Sequence, residues 1–188
     1  MRKPDSSAVL ALTLVSIGLC ISAFALASDK GHTTKVLPVP DRPSTLVKAH
    51  VLPDPKITPG AVYSDVTLAD IKHSGFSATV RDVPESEKKE VFRRYGIDYA
   101  EHSKYEVDHA VELAAGGSNA VENLWPERLH LNVGGRDMGA IEKDKVEKKV
   151  LAGVRDGSLP LRETQAQLAK DWTVLYRKLV APEFPAFK

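Results

Sequence analysis

The apolar positions of this chain change their period several times, and each change marks an element. Residues 8–27 are apolar almost without interruption. From 28 to 59 prolines break every period: VLPVPDRPS and VLPDPKITPG hold six of the chain's 12 prolines, a density no helix or central strand tolerates. The alternating GFSATVR at 75–81 predicts a strand. Next, 84–95 opens with Pro84, carries Glu85 and Glu87 in its first turn and Lys88, Lys89, Arg93 and Arg94 later, and stops at Gly96, which predicts a helix. YEVDHAV at 105–111 predicts a second strand, GGSN at 116–119 a turn, and 121–125 a returning strand ended by Pro126. A helix follows over 139–154, with Gly157 just past its end. The last helix, 160–179, has Pro160 at its start and an apolar stripe of Leu161, Leu168, Trp172, Leu175, Tyr176 and Leu179. The expected class is α+β: a strand–turn–strand–helix unit inside a small, mostly helical domain spanning 57–181.

The flanks read differently. Met1-Arg2-Lys3, the apolar run and Ala25-Leu26-Ala27 make 1–27 a secretory signal peptide with cleavage after Ala27. An uncleaved anchor is the other reading, since the run is about long enough to span a bilayer. Cleavage implies export to the periplasm or medium without stable membrane association. Residues 28–56 read as a Pro-rich extended tether and 182–188 as a loose tail.

Composition narrows the chemistry. Hydrophobic residues at 43% and charged residues at 27% are those of a globular protein. The single cysteine, Cys20, lies in the leader, so a mature chain starting at Ser28 has no thiol nucleophile and no zinc-thiolate site. Of 26 basic and 25 acidic residues, Arg2, Lys3 and Asp5 leave with the leader, so 24 of each remain. A balanced chain lacks the basic excess of a strong non-specific polyanion binder. A local basic groove stays open.

Candidate chemistry lies in YEVDHAVELAAGGSNAVENLWPE and the helix after it. Along a strand, Asp108 and His109 point to opposite faces. The turn brings Asn123 back beside His109. In the helix, Ala140, Val150, Leu151 and Val154 share an arc with Lys143, Asp144 and Glu147 inside it or at its edge. Charges facing a core require partners, a metal or water. An i,i+4 pair of Lys143 with Glu147 meets that requirement as well as a metal does.

The series Asp108-His109, Gly116-Gly117, Asn123-Leu124-Trp125-Pro126 and Lys143-Asp144-x-x-Glu147 resembles the HNH, or His-Me finger, endonucleases, particularly a small secreted or periplasmic group. The likeness extends over roughly 57–176, through TPGAV, FSATVR, RRYGI and DW…LY. It implies a ββα-metal motif and a metal-dependent endonuclease hydrolysing the phosphodiester bonds of DNA or RNA. His109 would be the general base, and Asn123 would accept a hydrogen bond from its imidazole. Asp108, with Asp144 or Glu147, would bind one divalent ion; oxygen-only ligands favour magnesium.

The chain also departs from that pattern. Many members place a ligand histidine on the helix, and none stands there. His130, the remaining downstream histidine, precedes the helix. Members of the group carry cysteines near IKHSGF and late in the catalytic helix; this chain has Lys72 and no cysteine there. Arg128, Arg136, Lys143 and Lys145 are candidate phosphate contacts, and Trp125 reads as a buried anchor. The competing expectation is a non-catalytic exported module that keeps the fold.

Overall fold

The computed structural model describes residues 31–185. The signal-peptide expectation for 1–27, with Cys20, lies outside them. The elements are β1 (Thr34–Val36), α1 (Ser44–Lys48), β2 (Ala61–Tyr63), α2 (Leu68–Lys72), α3 (Phe76–Val80), α4 (Glu85–Arg94), β3 (Tyr105–His109), β4 (Leu124–Arg128), β5 (Asn132–Val133), β6 (Arg136–Asp137), α5 (Ala140–Asp156) and α6 (Leu161–Leu179). The class is α+β. The strands pair as antiparallel ribbons, β1 with β2, β3 with β4 and β5 with β6. Among the described residues no helix is long and apolar enough to cross a membrane.

The core is helical and gathers under α6. Leu168, Trp172, Leu175 and Tyr176 are buried there against Val146, Val150 and Val154 of α5, so both predicted stripes pack on each other. At Asp171 the backbone of α6 leaves the helical region (φ −165°, ψ 96°). Its carboxylate accepts from the amide and hydroxyl of Thr173 and so caps the second half of the helix.

Two segments differ from expectation. The segment 75–81 holds the helix α3, not a strand. Gly75 (φ +86°) begins it, and Phe76 and Val80, i and i+4 on one helical face, are its buried residues. A five-residue alternating run satisfies both periods, and tertiary burial decides. Residues 31–56 are no extended tether either. β1 pairs with β2, Leu46, Val51 and Leu52 are buried, and Arg42, 6% exposed, donates to the carbonyls of Pro53, Thr58 and Ala169. The prolines abolish periodicity here without preventing packing.

The hairpin that carries the candidate site is shifted from its predicted return strand. β4 begins at Leu124, opposite His109, and 121–123 is a 3-10 turn. The loop between the strands is pinned from inside. Asn123 Oδ1 accepts from the amides of Val111 and Ala61, and its Nδ2 donates to the carbonyls of Val111 and Ser118. Only glycine fits at 117, where a Cβ would stand 1.8 Å from the Val111 carbonyl oxygen.

Candidate active site

β3 alternates as strand geometry requires, and its two faces build different things. Asp108 turns toward α5. There Lys143, 1% exposed, is held by Asp108 (Nζ–Oδ2 2.5 Å), by the main-chain oxygen of His109 (3.0 Å) and by Glu147 one turn further along. The hairpin and helix therefore meet at a single buried ammonium. The i,i+4 pair of Lys143 and Glu147 exists, and Asp108 completes it.

The electrostatics of this cluster follow from a shortage of positive charge. Burial alone would raise the Asp108 pKa, but the adjacent ammonium overrides it and brings the group down to about 2. Glu147 shares that ammonium; burial pushes it up, Lys143 only partly opposes this, and it reaches about 7. Glu112 and Glu127 have no ammonium of their own. Burial first, then repulsion from Glu147 and Asp108 respectively, holds both well above the usual carboxylate range. Neither carboxyl oxygen of Glu127 has a hydrogen-bond partner, and its burial beside Asp108 favours the protonated form. Glu112 Oε1 is buried without a partner.

His109 faces the other way and is 4% exposed. Its Nε2 lies 3.3 Å from Asn119 Oδ1. The Asn119 amide cannot be reversed, because its Nδ2 donates to the Val80 carbonyl at 2.7 Å, and to Tyr63 Oη at 3.0 Å. Nε2 is thus the protonated nitrogen and Nδ1 carries the lone pair. Burial holds the imidazolium down at about 4 despite the pull of Asp108, so the ring is neutral at pH 7.

Two cavities meet at β3. One, about 110 Å³, is walled by Asp108, Glu112, Asp144, Glu147, His109 and Arg81. The other, about 540 Å³, also includes Arg81 and His109 and runs over Lys88, Tyr99 and Tyr105.

The structure thus brings Asp108, Glu147 and His109 to one place, with Asp144 on the cavity wall. Asn123 is near in sequence, but all its side-chain capacity is spent on the main chain; the histidine's orienting partner is Asn119. The expected imidazole contact of Asn123 is corrected on that ground. His130 pairs with Asp137 on the surface (2.6 Å) and belongs to neither cavity. Nor do the proposed phosphate contacts. Arg128 lies 5.0 Å over the Tyr105 ring, Arg136 lies over Tyr176 and Phe184, Lys145 pairs with Glu142, and Lys143 is sealed in. Trp125 is buried as expected, at 2% exposure.

Sequence reasoning missed Asn119, read only as a turn residue, and Glu112, Glu127 and Arg81. Glu127 had a signal: strand pairing puts it opposite Glu106, on the Asp108 face. Among the described residues no group of three His, Cys, Asp or Glu side chains is arranged to hold a metal ion. The oxygens of Asp108, Glu147 and the His109 main chain nevertheless converge on one point, the point Lys143 takes. Comparison with protein-family models, curated proteins and solved structures returned no match to this chain.

Proposed function

We propose that the chain is an exported phosphodiester hydrolase of the ββα-metal type acting on nucleic acid. The observation that carries the reading is the fixed tautomer of His109: a neutral ring whose basic Nδ1 belongs to a residue lining two cavities, with Arg81 common to both. Such a ring takes a proton from water as the water oxygen attacks phosphorus, and Asn119 holds the Nε2–H that becomes part of the imidazolium. A low imidazolium pKa keeps the base unprotonated across the neutral range, at the cost of driving force for proton transfer.

The hairpin followed by a helix, with Asp108 ending one and Glu147 on the other, supports the same reading. The donor set fits magnesium, because Asp108, Glu147 and the His109 carbonyl offer only oxygen, with Asp144 at hand on the wall. When bound, the ion would neutralise charge developing on the phosphate and the leaving oxygen. It would take its place at the expense of Lys143, whose ammonium is a competing cation in the same seat.

That competition favours one second reading, an exported module that binds nucleic acid without cutting it. Incubation of the chain from Ser28 onward with DNA and with RNA, in magnesium or manganese, decides between them. The nuclease reading expects cleavage that EDTA stops. Binding with every substrate left intact would support the module instead.

A further inference from the structure

Building on the phosphodiesterase reading, we infer that the larger cavity beside His109 is a nucleotide subsite that seats one unstacked base of a single strand. The cavity shares Arg81 and His109 with the acidic one, so anything bound in it lies next to the proposed reacting group. Its volume, about 540 Å³, falls within the range of roughly 300–1,000 Å³ usual for small-molecule sites.

Its walls suit a flat, amphipathic ring. Tyr99 and His102 stack nearly parallel, with centroids 5.1 Å apart and planes at 15°. Phe92 meets the Tyr99 and Tyr105 rings edge to face, at 5.1 and 5.6 Å, and fixes the cluster from below. Val83, Val107 and Leu129 supply the remaining apolar surface. A base entering here meets the aromatic walls of Tyr99, His102 and Tyr105, and stacking accepts any base because every base has a π-face.

The polar groups suit a backbone and a base edge. Lys88 has only a 4.0 Å contact with Glu85 as an ion pair and is available to a phosphate. Arg81 stands between the two cavities, where the adjoining phosphate would run. Glu85 and Glu106 line the same cavity and accept from base amino groups. In a duplex the bases are stacked inside, and one must be extruded to reach such a cavity, which costs binding energy that a single strand retains.

The test uses the His109→Ala protein, so that binding is measured without cleavage. The probes are a fluorescently labelled single strand of about eight nucleotides, within the usual site size of ~4–16, and its blunt duplex. The single strand should bind about tenfold tighter or more. Val83→Trp, which fills the cavity, should erase most of that advantage and leave duplex affinity unchanged, and the surface change Lys88→Ala should weaken single-strand binding. Methyl resonances of Val83, Val107 and Leu129 should shift when a deoxydinucleotide is added. Equal affinity for the two probes, or methyl signals that stay put while nucleotide binds, overturns the subsite. If the wild-type protein still cuts nucleic acid, the phosphodiesterase reading survives that result. If methyls shift and single strands bind but no substrate is ever cut, the subsite stands and the catalytic reading falls.

Discussion

Asn119 and Asn123 belong to one loop and do different work. Asn123 spends four hydrogen bonds on the main chain of the loop and of β2, and it is completely buried. Asn123→Ala orphans buried amides and carbonyls worth about 1–3 kcal/mol each, so urea unfolding should register a loss of roughly 3 kcal/mol or more. Asn119→Ala leaves that frame intact and frees the His109 ring. Its mark should be kinetic: kcat falls about tenfold to a hundredfold, as for other orienting partners of working histidines, with KM little changed. The imidazole itself gives a pH signature. Its pKa drops from 6.5 to about 4 on folding, so between those values the unfolded chain binds more protons than the folded one. Stability from this group is complete above pH 6.5 and is lost as pH falls toward 4, by roughly 3 kcal/mol in all. Glu112 and Glu127 act in the opposite sense, losing stability as pH rises from 4.5 upward. The difference between wild type and His109→Gln isolates the imidazole, and the variant should lack the loss between pH 6.5 and 4. At this scale Asp108 and His109 were legible because residue type and alternation carry chemistry directly. Asn119 was not, because an asparagine after two glycines reads equally well as turn chemistry.

The meeting of β3 with α5 depends on one side chain. The charged positions on the inward arc of α5 announced a partner in the sequence, but not which one, since an ammonium and a metal ion satisfy the same carboxylates. Lys143 now holds that seat. Lys143→Met leaves Asp108 and Glu147 facing each other without a cation, and loss of one member of a buried ion pair costs about 3–5 kcal/mol. Magnesium should stabilise the variant more than the wild type, where the ion has to displace the ammonium: thermal melts with and without the ion are expected to show the larger rise in midpoint for Lys143→Met. An equal response in both would mean that the ion, if it binds, binds away from this seat. Helices α4, α5 and α6 were readable from caps, charge order and apolar period. α3 was not, because five residues are too few to separate a period of two from one of 3.6.

Across the whole molecule, the surprise is the segment before residue 57. Its prolines suggested a strand of chain outside the domain, yet Leu46, Val51 and Leu52 enter the core and the Trp172 indole donates to the Val51 carbonyl at 3.0 Å. Arg42 is the bolt, with three main-chain carbonyls bound and burial lowering its pKa to about 10. Arg42→Met is expected to cost roughly 3 kcal/mol through the carbonyls it strands, and a chain beginning at Ile57 should lose its cooperative melt. Pattern reasoning works on period, and a proline-rich segment packs through individual contacts that have none. The same limit explains why the hairpin's return strand was placed three residues early: the pairing register depends on how the 3-10 turn at 121–123 closes.

The central claim is that His109 acts as a base on a phosphodiester, and single-turnover cleavage of one labelled oligonucleotide in magnesium tests it most directly. The account predicts that the wild-type chain cuts and that His109→Ala is slower by about 10²–10⁴-fold, the usual contribution of a positioned general base. A His109→Ala protein that cuts at the wild-type rate would contradict it.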